Sequence, residues 1–392
     1  MLTQPRGREP VQAEVAVVGS GVVGSATALE LARRGTAVAL LEAEPQPGLQ
    51  ASGTNSGILH TGFDSIAGEL ETKLILRSAE LREPVFDALA VPVMRCGALM
   101  RPLGDSQRGG IAGLAENARR NAVEATLHRD GSLVVPGESV TDPVAFTLAL
   151  VGAAECHGTE LRTGFRVEGI EQSRKRFTLS DASGDSVTAR LVVNCAGLGA
   201  DDVARLAGDD SFEVYPRKGE FLVFDPPDGA LLERILLPVP SEGTKGVLVF
   251  PTLDGKVVAG PTAVDQEDSD DWSVRPGAGD EILPKATGIY PPLADAEPIA
   301  AYAGLRPAGR GINYLIGPSD LCPGLINVAA IRSTGLTASL AIAERVCAIV
   351  GELGVPLGVP RPLEPGSPTG FAGPWWRRTA HHRYQLAQQG AG

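Results

Sequence analysis

A short apolar run, V-A-V-V at 15–18, is followed at once by G-S-G-V-V-G, with glycines at 19, 21 and 24. Next comes A-T-A-L-E-L-A-R-R-G, where Ala28, Leu31 and Ala32 share a helical face and Gly35 supplies a stop. A second apolar run, V-A-L-L at 38–41, ends at Glu42. Strand, turn, helix and strand in this order are the opening of a dinucleotide-binding fold. Gly19 permits the tight turn, Gly21 brings the backbone near a pyrophosphate, and Gly24 lets helix and strand pack closely. Free N–H groups at the helix start meet the negative charge of the diphosphate. Glu42, 23 residues after Gly19, can accept both ribose hydroxyls and disfavours a 2′-phosphate, so NADP fits poorly. The spacing alone does not decide between NAD and FAD.

At 392 residues the chain is too long for one simple core, which predicts two domains. Gly 48 and Pro 30, without a collagen-like period, predict many turns and close backbone approaches. A net charge of -12 with no long basic block argues against a nucleic-acid partner, because phosphate-backbone affinity needs clustered positive charge. A few arginines can still build a local pocket for an anionic substrate. Five isolated cysteines without C-x-x-C argue against disulfide stapling and a cysteine-bound metal, and fit a reducing cytoplasm. No uncharged stretch of 18 apolar residues occurs, and the first ten residues read as a polar leader rather than a signal peptide. A cytoplasmic location is expected, with peripheral membrane contact left open.

Further along, 69–89 reads as a helix and 110–130 as a charged surface helix and turn. Asp142-Pro143 caps a helix running to about 154. A strand of the nucleotide-binding part is expected at 190–194, ahead of C-A-G-L-G. Pieces at 220–224, 234–238, 246–250 and 256–259, punctuated by Pro and Gly, suggest a mostly antiparallel sheet. Apolar runs at 314–316 and 325–330 precede a helix pattern at 336–350, and 351–369 reads as a linker.

Residues 51–63, A-S-G-T-N-S-G-I-L-H-T-G-F, with A-G-L-R-P at 303–307 and S-T-G-L-T-A-S at 333–339, resemble the D-amino-acid-oxidase-like superfamily of FAD oxidoreductases. The resemblance covers about 15–350. It implies an α/β, Rossmann-like FAD-binding fold of the glutathione-reductase type, with an inserted antiparallel-sheet substrate domain (α+β). The expected division is 1–80, 141–214 and 300–355 for FAD, 81–140 and 215–299 for substrate, and 356–392 as linker and tail. The resemblance puts Ser52 and Thr54 at the FAD diphosphate, and Asn55, Ser56 and Gly57 beside the isoalloxazine. It puts Gly335, Leu336 and Thr337 near the flavin's pyrimidine end, and the Val167 backbone at the adenine. Ala196 and Gly197 complete the expected cofactor contacts. A helix start rich in small residues can offer N–H donors to the negative charge of reduced flavin, although Ser333, Thr334 and Thr337 also suit simple capping.

Within the superfamily the chain is most similar to the FAD-dependent glycerol-3-phosphate dehydrogenases and the L-2-hydroxyglutarate dehydrogenases. N-S-G-I-L-H-T-G at 55–62 and P-R-K-G-E-F at 216–221 are shared in kind with both. The stretches 238–255 and 257–262 resemble the phosphate-substrate branch. Leu248 and Phe63-Asp64 depart from the histidine and the Tyr-Tyr pair that the hydroxyglutarate branch tends to carry.

Flavin oxidation of a secondary alcohol sends hydride to N5 and needs a base for the hydroxyl proton. His60 is the candidate, since imidazole titrates near neutrality; its alternative is a histidine that orders its own loop. His128, His157, His381 and His382 read as surface residues. Arg306 is the expected substrate anchor, because a guanidinium binds carboxylate or phosphate through paired hydrogen bonds; its alternative is a salt bridge at the domain junction. Lys245 and Arg332 are either further anion contacts or solvated surface charges, and Arg217 and Lys218 either complete the pocket or form an exposed turn. No metal role is supported, for no compact ligand spacing occurs. The expected activity is a dehydrogenase acting on glycerol 3-phosphate to give dihydroxyacetone phosphate. The alternatives are a 2-hydroxyacid such as L-2-hydroxyglutarate, and an amino acid. G-P-W-W-R-R at 373–378 suits either a partner contact or packing on the chain's own surface.

Overall fold

The computed structural model describes residues 11–174, 176–229, 231–240, 246–366 and 373–390. Lys245 and the first ten residues lie outside the described residues.

The strand Val15–Val18 is buried on both faces and sits inside a six-stranded sheet. It pairs in parallel with Val38–Glu42 on one side and Leu191–Asn194 on the other. Glu160–Thr163 extends one edge and Leu325–Ala329 the other, both parallel, and Leu315–Pro318 closes the sheet antiparallel. Alternation decides what each face meets. Val15 and Val17 pack under the helices Val22–Ala32, Leu70–Leu89, Pro143–Cys156 and Gly335–Glu352, whereas Ala16 and Val18 meet Phe165, Phe177 and Leu179. Those aromatics come partly from a second layer, the four-stranded sheet of Val11–Gln12, Ser186–Ala189, Arg176–Ser180 and Gly169–Ser173. The Asp142 cap is formed as expected: its carboxylate accepts from the N–H groups of Val144 and Ala145 at 2.8 and 2.9 Å.

A nine-stranded mixed sheet forms the other half of the molecule. Its longest strand, Val214–Phe224, pairs antiparallel with Ala300–Gly309 and with Val257–Gly260. The sheet is mostly antiparallel, but Ile235–Leu237 joins Ala98–Met100 in parallel. Two elements run across the divisions expected from sequence. Leu70–Leu89 continues unbroken through residue 80, and Ala300–Gly309 hydrogen-bonds along the mixed sheet rather than the nucleotide-side one. A small three-stranded sheet of Ile58–Leu59, Ser139–Thr141 and Val93–Met94 lies between the two halves in sequence and carries His60 just past its first strand.

Within the stretch expected as linker and tail, Trp375–Gly390 forms a helix. Trp375 and Trp376 are buried in the same core cluster as Phe221 and Tyr302, and Arg378 donates to the carbonyls of Gly48 and Pro47 at 3.2 and 2.8 Å. Trp375, Trp376 and Arg378 thus pack on the chain's own surface, while Arg377 is exposed and lies over the Trp376 ring. Among the described residues no helix is long and apolar enough to cross a membrane.

Candidate active site

Two cavities adjoin at Ala51, Asn55 and Arg332. The first, of about 380 Å³, lies at the carboxyl ends of the parallel strands, where open α/β sheets bind ligands. Gly19, Gly21 and Gly24 line it, and two of them tolerate no side chain. A Cβ on Gly24 would stand 1.9 Å from the Gly19 carbonyl oxygen, and one on Gly19, at φ 99°, would stand 2.4 Å from that of Cys195. The Val22 N–H at the helix start donates to Ser52 Oγ at 2.9 Å. Glu42 lines the same cavity; Oε2 accepts from Ser20 N–H and Oγ–H at 2.9 and 2.7 Å, and Oε1 accepts from Glu44 N–H at 2.9 Å. Burial pushes its carboxyl above the ordinary range, against the pull of the Glu44 and Ser20 hydrogen bonds. An excluded side chain at the turn, a helix start and a buried acid at the second strand together fit a dinucleotide.

Val167, Ala196, Gly197, Gly335 and Leu336 also line this cavity. Thr54 and Ser56 face the second cavity instead, and Asn55 faces both. Thr337 and Gly57 line neither: Thr337 Oγ1 accepts from the His60 N–H at 3.1 Å, and the Gly57 carbonyl accepts from Thr141 N–H at 2.8 Å. Both act on the loop rather than on the cavity wall.

The second cavity, of about 440 Å³, has walls of Phe221, Leu248 and Phe250 and gathers His60, Arg217, Arg306 and Arg332. Arg306 Nη2 donates to the carbonyls of Thr262 and Lys218 at 2.6 and 3.3 Å. Gly219 makes the room, since a Cβ there would lie 2.1 Å from that nitrogen. Burial, and then repulsion from Arg217 and Arg332, push the Arg306 pKa down to about 10. A cation held at such cost calls for an anion. Arg217 is paired with Asp265 at 2.8 Å, and Arg332 Nε donates to Asn313 Oδ1 at 3.3 Å.

Lys218 turns away. It is buried, and its ammonium donates to Asp271 Oδ2 at 2.6 Å and the Ser273 carbonyl at 3.0 Å. Adjacent residues on a strand point to opposite faces, so only Arg217 of the pair reaches the cavity.

Three residues near His60 carry no local signal in the sequence. Glu138 Oε2 lies 3.1 Å from His60 Nδ1, Arg82 Nη2 donates to the His60 carbonyl at 3.2 Å, and Glu71 lines the cavity while accepting from Thr334 Oγ1–H at 2.7 Å. Glu138 is 78 residues from His60, and only the pairing of two short strands could have joined them. Two histidines expected on the surface are not there: His157 is buried at a helix end, and His382 is half-buried with Nε2 2.9 Å from Glu44 Oε2. Among the described residues no cluster of His, Cys, Asp or Glu is arranged to hold a metal ion.

The family model described as DAO, FAD dependent oxidoreductase, matches residues 14–349. The glycerol 3-phosphate dehydrogenase of Caloramator mitchellensis is 30% identical, with 86% of this chain and 73% of that protein covered. The mitochondrial L-2-hydroxyglutarate dehydrogenase of Arabidopsis thaliana is 28% identical, with 85% and 82% covered. In fold, the chain superposes on dithionite-reduced, FAD-bound L-alpha-glycerophosphate oxidase from Mycoplasma pneumoniae with a TM-score of 0.83 at 24% identity, covering 91% of this chain and 99% of that one.

Proposed function

The chain belongs to the DAO family of FAD-dependent oxidoreductases, and from that premise we propose that it oxidises the secondary alcohol of a small dianion, glycerol 3-phosphate before others, to the ketone. The observation that carries this reading is the gathering of Arg217, Arg306 and Arg332 around one cavity that also holds His60. A phosphate can share its charge among several guanidinium groups, each a strong, directional donor. The name of the Caloramator relative agrees with it.

FAD, when bound, supplies the acceptor for the hydride leaving the carbinol carbon. Gly19, Gly21, Gly24, Glu42 and Ser52 would hold its nucleotide end. Val167, Ala196, Gly197, Gly335 and Leu336 would line its path, with Asn55 at the junction of the two cavities. Thr54, Ser56, Gly57 and Thr337 would shape the loop on the substrate side. Arg306 would orient the anionic end, with Arg217 and Arg332 adding to the positive field, and Lys245, outside the described residues, would be a further contact. His60 would take the hydroxyl proton. The apolar walls of Phe221, Leu248 and Phe250 would lower the local dielectric around a bound substrate, which would strengthen each charged contact.

The similar identity of the Arabidopsis relative favours a second reading, oxidation of a dicarboxylate hydroxyacid such as L-2-hydroxyglutarate. One experiment separates them: anaerobic mixing of the purified holoenzyme with each compound, followed by flavin absorbance. Bleaching by glycerol 3-phosphate supports the first reading. Intact flavin that stays oxidised with it overturns that reading, and bleaching by the hydroxyacid instead establishes the second.

A further inference from the structure

We propose that Glu138 is a positioning residue that holds the His60 imidazole in its Nδ1–H tautomer, leaving Nε2 as the atom that receives the substrate proton. The catalytic half of this inference rests on the proposed alcohol oxidation; the tautomer does not.

The placement follows from strand register. Ile58 pairs with Val140 and Leu59 with Ser139, so the next step along both strands sets His60 opposite Glu138. Residues directly opposite in an antiparallel pair have side chains in reach of each other. Gly137, just before, is needed for the fit, since a Cβ there would lie 2.9 Å from Thr61 Cγ2.

Glu138 has no exposed surface, so its carboxylate must find donors within the protein. Oε1 accepts from Thr61 N–H at 2.7 Å and Thr61 Oγ1–H at 2.9 Å. Oε2 faces His60 Nδ1 at 3.1 Å. An ionised carboxylate only accepts, so a lone pair on Nδ1 would confront another lone pair. The ring proton therefore sits on Nδ1. The His60 main chain is pinned at both ends, its N–H to Thr337 Oγ1 and its carbonyl to Arg82 Nη2. The base thus hangs from three elements distant in sequence, with little freedom left beyond its own side-chain rotation.

The charged groups facing it are Glu138 and Arg82 from behind, and Glu71, Arg217, Arg306 and Arg332 around the cavity. Arg82 is buried, and Glu138 and Glu83 work against the burial that depresses its pKa. In the reaction the O–H proton passes to Nε2, and the O–H bonding pair becomes the second carbonyl bond. The carbinol hydrogen would leave with its electron pair, for which FAD, when bound, would be the acceptor. The imidazolium keeps its Nδ1 proton, and Glu138 stays ionised beside it, offsetting the new positive charge as a carboxylate does for a catalytic histidine.

The test uses holoenzyme labelled with ¹⁵N in its 5 histidines, with H60N identifying the His60 signals. The wild type is expected to show the Nδ1–H tautomer, and E138Q a mixture of tautomers. In anaerobic single-turnover reduction by glycerol 3-phosphate, E138Q is expected to slow the limiting rate by roughly 10- to 100-fold, with substrate affinity and flavin content retained. E138D is expected to recover part of the rate. An Nε2–H tautomer in the wild type would overturn the proposal, as would an E138Q enzyme with full flavin and an unchanged rate. If the wild type is reduced by neither glycerol 3-phosphate nor a hydroxyacid, the functional reading fails on its own, and the ring tautomer still decides the role of Glu138.

Discussion

Arg217 and Arg306 stand directly opposite each other in the antiparallel pairing of Val214–Phe224 with Ala300–Gly309. Like charges in that position destabilise a sheet, and only Arg217 of the two has a carboxylate partner among the described contacts, Asp265. The pairing is tolerable in a site built to receive negative charge, and it sets up the first expectation. Inorganic phosphate should raise the Tm of the wild type by occupying the cavity. R306M should abolish that rise and lower kcat/KM by roughly 10- to 100-fold, the worth of one charge-assisted hydrogen bond at a substrate. The same variant removes a cation held against burial and repulsion, so its stability without phosphate should stay within about 1 kcal/mol of wild type. Thermal scans with and without phosphate check both halves. A phosphate response that survives in R306M would place the anion elsewhere.

The nucleotide end makes a steric prediction. G24A puts a methyl 1.9 Å from the Gly19 carbonyl oxygen, and backbone cannot swing aside as a side chain can. The turn must open, with an overpacking cost of about 1–3 kcal/mol. The variant should purify folded by circular dichroism but with most of its flavin lost, measured as the flavin-to-protein absorbance ratio. Full flavin content would show that the turn has slack that the geometry denies.

How much of this was readable from the chain follows from the range of the interactions. The glycine turn, Glu42 and the Asp142 cap are local, each completed within a few residues or one strand-helix-strand unit, and spacing alone located them. Arg306 and His60 stood out by residue type and by family resemblance. Glu138, Arg82 and Glu71 did not, because their roles depend on which strands and helices meet. Lys218 shows the limit of composition: beside Arg217 in P-R-K-G it reads as a second cation for the pocket, yet strand alternation sends it to Asp271. The tail helix carries no local signal because its anchors meet partners far along the chain, Trp375 at Tyr302, Trp376 at Asp254 and Arg378 at Gly48.

Lys218 and Asp271 give a stability prediction. Hydrogen bonds from Lys218 and Ser273 hold the Asp271 carboxyl down at about 2. A depressed acid stabilises the fold above the ordinary carboxylate range and loses that contribution as the pH falls toward 2. Asp271 is itself 41% exposed, so solvent screens much of its own gain; the buried partner is the sensitive one. D271N removes the counter-charge of the buried Lys218 ammonium, leaving it only neutral acceptors in the amide oxygen and the Ser273 carbonyl, and should cost about 1–3 kcal/mol in urea unfolding at neutral pH. K218M with D271N should recover part of that loss, since neither charge is then left unpaired. A double variant no more stable than D271N would show that the ammonium had found other partners.

Glu44, where the tail helix docks, sets up an expectation about pH and cofactor retention. Its Oε2 lies 2.9 Å from His382 Nε2, and its Oε1 accepts from Arg383 Nη2 at 2.7 Å and Gln50 Nε2 at 2.9 Å. Burial pushes the Glu44 carboxyl up, but the His382 hydrogen bond, the Arg383 charge and the Gln50 hydrogen bond together outweigh it, and the net shift is downward. A depressed acid contributes its docking energy above the ordinary carboxylate range and loses it as the pH falls through its own lowered value. The helix it anchors packs on the turn Ala51–Thr54, where a Cβ on Gly53 would come 2.7 Å from Thr379 Oγ1, and Ser52 of that turn lines the nucleotide cavity. Loosening the helix should therefore loosen FAD. Flavin release from the wild type should accelerate as the pH is lowered below the carboxylate range, and E44Q should release flavin faster at neutral pH with a flatter acid dependence. Fluorescence of released flavin followed across pH measures both. Identical release profiles for the two proteins would mean that the tail helix rests on its tryptophans alone, with Glu44 a bystander to cofactor binding.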